Sequence, residues 1–83
     1  MDIKLSELSA NQVYATMTQA LIPRPIAWVL SENEDGGFTL APFSYFTAVS
    51  SKPPLIMLSV GKKPDGSPKD TCANIEARGD FVV

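Results

Sequence analysis

Histidine is absent from these 83 residues and cysteine occurs once. Without histidine there is no Ser/His/Asp or Cys/His set, and with a single thiol the common metal-ligand spacings are missing, so no metal site is expected. Cys72 has no internal disulfide partner. It is expected to stay a reduced thiol, a role more often filled by a small buried hydrophobe than by a nucleophile. Long apolar runs are also lacking: Ile26 to Leu30 and Leu55 to Leu58 are too short for a membrane span or a signal-peptide core, and Asp2 and Glu7 follow Met1 closely. A cytoplasmic protein is expected. Seven Lys and Arg against nine Asp and Glu include no basic run, so neither nucleic acid nor an anionic membrane is an expected partner.

What is present is a 45% apolar chain punctuated by seven prolines and five glycines, which favours a packed fold of short segments, mainly β with short helices. At this length there is one domain at most, and its core stabilises by roughly 3–5 kcal/mol. Ser9-Ala10-Asn11-Gln12 has the capping-box pattern, and Val13, Met17 and Ala20 continue at helical spacing towards Pro23. Ile26 to Leu30 and Phe38 to Phe46 read as a β-hairpin around an Asp35-Gly36 turn; Pro42 requires the second strand to be an edge, to bulge, or to break near residues 41 to 43. Ser50 to Pro54 reads as a turn, Leu55 to Val60 as a strand and Lys62 to Pro68 as a loop. Thr71 to Arg78 reads as a helix capped by Asp70 and closed by Gly79, followed by a strand from Asp80 to Val83. Three or four strands close no barrel and leave an apolar face and open edges, so the chain is expected to be the first part of a longer domain, completed by further chain or by a second subunit.

Four stretches carry chemistry. Lys69-Asp70-Thr71 at a helix start combines free N–H groups and the positive dipole end with an ammonium and a hydroxyl, which suits a phosphate, and Asn74 lies one turn on. The same residues also suit an ordinary cap and a solvated lysine. Ala41-Pro42-Phe43-Ser44 presents backbone donors that the proline frees from pairing, while Phe43, Tyr45 and Phe46 equally suit a strand core. Ser50 and Ser51 suit either an oxygen-rich ligand or a turn. Arg24 sits between Pro23 and Pro25 on a stiff backbone from which its side chain reaches an anion or a carbonyl edge, and Trp28 suits a ring pocket or a core. Glu32, Glu34 and Asp35 at the hairpin tip read as a solvated loop.

Taken in order, Pro-Arg-Pro-Ile-Ala-Trp-Val at 23–29, Leu-Ala-Pro-Phe-Ser-Tyr-Phe at 40–46, Ser-Ser-Lys-Pro-Pro at 50–54 and Lys-Asp-Thr with Asn-Ile at 69–75 resemble the flavin reductase-like family of FMN-binding split barrels. The resemblance implies an antiparallel Greek-key split barrel, incomplete in this chain, of which residues 1–83 are the N-terminal part of a single FMN-binding domain, and a homodimer. It implies FMN as cofactor and NAD(P)H as co-substrate, with hydride transfer from nicotinamide to flavin and no protein acid or base strictly required. By position, Ser44, Ser50, Lys69 and Thr71 would hold phosphate or ribityl oxygens, Pro25, Ala41 and Phe43 would lie along the ring, and Arg24 and Asn74 would add polar contacts. Two other readings remain open here: a non-catalytic FMN-binding or electron-carrier protein, and a truncated dimerisation module without cofactor.

Overall fold

The computed structural model describes residues 2–83. After one 3-10 turn at Leu5–Glu7, helix α1 spans Ala10–Ala20. Ser9 begins it as expected: its Oγ accepts from Gln12 N at 3.2 Å while Gln12 Oε1 accepts from Ser9 N at 2.9 Å. Strands β1 (Ala27–Glu32) and β2 (Phe38–Phe43) form an antiparallel hairpin, with Ala27 opposite Phe43 and Glu32 opposite Phe38. Its loop is closed by Asn33 N donating to Gly37 O and Gly36 N to Asn33 O, and Gly36 adopts φ +88°, the left-handed conformation an Asp-Gly turn needs.

The long run from Phe38 to Phe46 is not one strand. It ends at Phe43, passes through Ser44-Tyr45, and restarts as β3 (Phe46–Ser51), which pairs antiparallel with β4 (Pro54–Leu58) in a second two-stranded sheet. The register slips between Ala48 and Ser50, leaving Val49 as the extra residue of a bulge. The break therefore falls two residues beyond Pro42, and the reason is in the register. Leu30 exchanges both backbone hydrogen bonds with Val82 (2.8 and 3.0 Å), so the even-numbered residues of β1 direct their N–H and C=O away from β2. Trp28 and its partner Pro42 thus form a non-hydrogen-bonded pair. The proline nitrogen lies on the outer edge of β2, where no ladder bond is lost. The expected strand at 80–83 reduces to the single Val82 bridge.

Helix α2 spans Asp70–Arg78 and closes at Gly79, φ +79°, whose N–H donates to Ile75 O. Its N-cap is Lys69, with no side-chain capping bond, and Asp70 is the first helical residue; the expected Asp70 cap is corrected accordingly. The Asp70 carboxylate pairs instead with Lys63 Nζ at 3.1 Å. Thr71, Asn74, Ile75 and Arg78 recur at helical spacing on one face, and this helix packs on β1 and β2. The buried residues are Ala27, Val29 and Ser31 on the facing side of β1, and Thr71. Asn74 Nδ2 donates to Ser31 Oγ (3.1 Å) and Asn33 Oδ1 (2.8 Å), and Arg78 Nη2 donates to Asn33 O (2.9 Å).

The opposite face of this hairpin is uncovered among the described residues: Trp28, Phe38 and Leu40 are 58%, 65% and 59% exposed. The radius of gyration is 15.3 Å, against about 12 Å for a compact domain of this length. The strands are antiparallel and the fold is mainly β with two short α-helices, but the two sheets do not close into a barrel within these residues. No described helix is long and apolar enough to cross a membrane.

Replacing Asn74 by Ala removes the donor to the Ser31 hydroxyl and one of the two donors to Asn33 Oδ1, which keeps Thr39 Oγ1. The expected loss is about 1–3 kcal/mol of unfolding free energy, measured by urea titration of the far-ultraviolet circular dichroism. An unchanged midpoint would show that α2 docks through apolar packing and the Arg78–Asn33 bond without the Asn74 amide.

Candidate functional site

The start of α2 and the end of β2 meet in an open groove. One part, of about 340 Å³, is lined by Ala41, Pro42 and Phe43 from β2 and by Lys63, Lys69, Asp70 and Thr71 around the helix start. It continues past Pro42, Phe43 and Lys69 into a second part of about 350 Å³, bounded by Tyr14, Ser44, Tyr45, Ser59 and Gly61. Each part alone is near the lower limit of about 300–1,000 Å³ for small-molecule sites, and Pro42, Phe43 and Lys69 line both. Five of the residues singled out in the sequence, Ala41, Phe43, Ser44, Lys69 and Thr71, share this groove.

Local structure explains the placement. β2 ends where the chain leaves the first sheet, which brings Phe43 and Ser44 to its rim. The clamp of Asn74 and Arg78 on Asn33 holds α2 against the same hairpin and sets its N-terminal end beside β2. The first bond of the helix runs from Ala73 N to Lys69 O, so the N–H groups of Asp70, Thr71 and Cys72 precede the helical ladder, and the Lys69 side chain supplies no cap. Around them stand two cations, Lys63 and Lys69, and one carboxylate, Asp70, already paired with Lys63. Thr71 is 2% exposed and forms the packed end of this wall. The local balance is positive, with the helix dipole adding in the same sense.

The other singled-out residues lie elsewhere. Arg24 and Pro25 line a neighbouring apolar groove of about 370 Å³ with Met17, Leu21, Phe46 and Met57, which meets the first site at Ser44 and Tyr45. Arg24 Nη1 donates to Thr18 O (2.8 Å) and Leu21 O (2.9 Å), its guanidinium lies 5.5 Å from the centre of the Tyr45 ring, and Tyr45 stacks on Tyr14 at 6.2 Å. Ser50 is on the second sheet, opposite Leu55, and its Oγ accepts from Lys52 N at the turn. Asn74 has its amide on Ser31 and Asn33, on the side of α2 that faces the hairpin. Residues that sequence reasoning passed over are Lys63, in a loop with no pattern of its own, and Asn33, whose Oδ1 also accepts from Thr39 Oγ1 at 2.6 Å. Both acquire their roles only through contacts across the fold.

Cys72 sits in the first turn of α2, where a helix dipole ordinarily favours a thiolate. Here burial and then the Glu76 carboxylate push its thiol up, and Sγ donates to Glu76 Oε1 at 3.6 Å. The thiol form prevails at neutral pH, which fits no nucleophilic role.

Comparison with known proteins places the chain in a family. The family described as "Flavin reductase like domain" matches residues 17–83. An uncharacterized protein of Halalkalibacterium halodurans is 43% identical over 83 residues, covering 100% of this chain and 40% of its own length. The uncharacterized protein YwrF of Bacillus subtilis is 43% identical over 77 residues, covering 93% of this chain and 37% of its own. Among solved structures, nitrilotriacetate monooxygenase component B from Bacillus cereus superposes with a TM-score of 0.91 at 40% identity, over 98% of this chain and 40% of that one. The 2-nitrobenzoate 2-nitroreductase NbaA of Pseudomonas fluorescens gives 0.88 at 38% identity, over 100% and 39%. The chain thus spans about two fifths of the length of the relatives it matches.

Iodoacetamide should alkylate Cys72 more slowly than a free model thiol at pH 8, and Glu76→Gln should accelerate it by removing the carboxylate that raises the thiol. Equal rates in the two proteins, followed by mass spectrometry, would assign the protection to burial alone.

Proposed function

The chain belongs to the flavin reductase-like family, and from that premise we propose that the groove between β2 and α2 binds FMN in an NAD(P)H-dependent oxidoreductase of flavin reductase type. The observation that carries this reading is the meeting of an apolar wall, Ala41, Pro42 and Phe43, with the uncapped, lysine-flanked start of α2 in one groove. A flavin mononucleotide has the matching halves: a flat ring for the wall and a phosphate dianion for the helix end. Lys69 would neutralise the phosphate, the N–H groups of residues 70–72 would donate to it, and Lys63 would keep the Asp70 carboxylate from opposing it. Ser44 would donate to ribityl or ring oxygens from the rim. Bound there, the flavin supplies a hydride acceptor that passes reducing equivalents onward, while the protein excludes water from one ring face and fixes the phosphate. The histidine-free composition is compatible with this division of labour.

Two further expectations belong to the same reading. Residues 1–83 act as the N-terminal part of one FMN-binding domain, whose remainder covers the exposed Trp28, Phe38 and Leu40 face and completes the nicotinamide site. The assembled protein is a cytoplasmic homodimer. Family likeness supports both.

Lys69→Ala tests the placement. Loss of one charge-assisted phosphate contact should weaken FMN binding by about 1.5–3 kcal/mol, read from flavin fluorescence, while riboflavin, which lacks the phosphate, should bind as before. Equal weakening of both ligands, or of neither, would move the phosphate away from α2. Oxidation of NADH or NADPH that depends on added FMN separates an enzyme from a non-catalytic flavin carrier.

A further inference from the structure

We propose that Arg24 is a positioning residue, which sets the Ser44-Tyr45 corner of the groove by tying it to the C-terminal end of α1. This rests on the flavin reading for its functional consequence but not for its geometry. The guanidinium is already committed. Nη1 holds two carbonyls, Thr18 O and Leu21 O, at the end of α1, where no intrahelical donor remains for the last turn. The guanidinium carbon lies over the Tyr45 ring, 5.5 Å from its centre, and Nη2 makes a long contact of 3.5 Å with Ser44 Oγ. Nε is buried and has no hydrogen-bond partner among the described residues, so the three bonds made by Nη1 and Nη2 are the ones that fix the side chain.

The fork matters more than the charge. A planar guanidinium spans two carbonyls and presents a flat face to a ring in one conformation, which an ammonium on a flexible stem does not reproduce. Arg24 itself is held between two prolines. The tie joins the end of α1 to the corner, which that helix also reaches through the Tyr14–Tyr45 stack. Tyr45 in turn links to the second sheet, where its carbonyl accepts from Ser59 N at 2.9 Å. Arg24 therefore couples α1, the break between the two sheets and one wall of the groove.

Amide hydrogen exchange on the flavin-free protein tests the coupling directly. In Arg24→Lys, the Leu21 amide at the end of α1 and the Ser59 amide on Tyr45 O should both lose protection, while Gly79 at the end of α2 keeps its own. Flavin affinity should fall on the order of tenfold for FMN and riboflavin alike, with an altered visible circular dichroism of the bound ring. Unchanged Ser59 protection, or a lysine that restores full affinity, would overturn the proposal. Should Arg24→Lys unfold the whole chain, with Gly79 exchanging too, Tyr45→Leu carries the same test: coupling is reciprocal, so Leu21 must lose protection, and its persistence would overturn the assignment. Failure of the wild-type protein to bind either flavin would count against the proposed function alone, because the exchange measurement decides the role of Arg24 without any ligand.

Discussion

The side-chain amide of Asn74, shared between Ser31 and Asn33, is the contact through which α2 becomes part of the fold. The apolar core beneath it is small, with only Ala27 and Val29 buried among the described hydrophobic residues. Burying a valine stabilises by about 1.5–3 kcal/mol, and an intramolecular hydrogen bond by about 0.5–1.5. Three such bonds from Asn74 and Arg78 are therefore comparable with the whole apolar contribution at this interface. In a larger domain they would be secondary; here they determine where the helix sits, and so where its positive end points.

The groove follows from that placement together with one irregularity of the chain. Had residues 38 to 46 formed a continuous strand, Ser44 and Tyr45 would have been paired into a sheet and no rim would exist beside α2. The chain instead changes sheets at Ser44-Tyr45. Backbone left outside a ladder needs other partners, and in this segment the Tyr45 carbonyl finds Ser59 while the Tyr45 ring finds Arg24 and Tyr14. The site thus lies where regular structure is interrupted, between elements that are themselves regular. Its electrostatics are simple by comparison: two lysines, one carboxylate held by the first of them, and a helix end whose donors are uncapped.

Much of this was present in local sequence. The Ser9–Gln12 capping box, the Asp35-Gly36 turn with the hairpin it closes, and the Gly79 helix stop are set by interactions within a few positions, and each is present in the fold. The ordered motifs from Pro23 to Ile75 likewise placed the chain in its family before any coordinates. Strand β3 was not legible, because Phe46 to Ser51 continues an apolar run without a turn residue and ends in what reads as a loop. The N-cap of α2 was misplaced by one residue, since Asp70 is drawn to Lys63 seven positions away and leaves capping undone.

The sequence by itself determined the two helices and the first hairpin, the absence of histidine and of an intramolecular disulfide, and which residues carry groups suited to an anion and a ring. Only the tertiary structure decided how those groups are used. It joined Lys69 and Thr71 to Ala41, Phe43 and Ser44, set Ser50 on another sheet, turned the Asn74 amide onto partners 43 and 41 positions earlier, and engaged Arg24 with the end of α1. The physical reason is that a long polar side chain has many partners of nearly equal energy along the sequence. Which of them it takes is settled by the few that packing brings within about 3 Å.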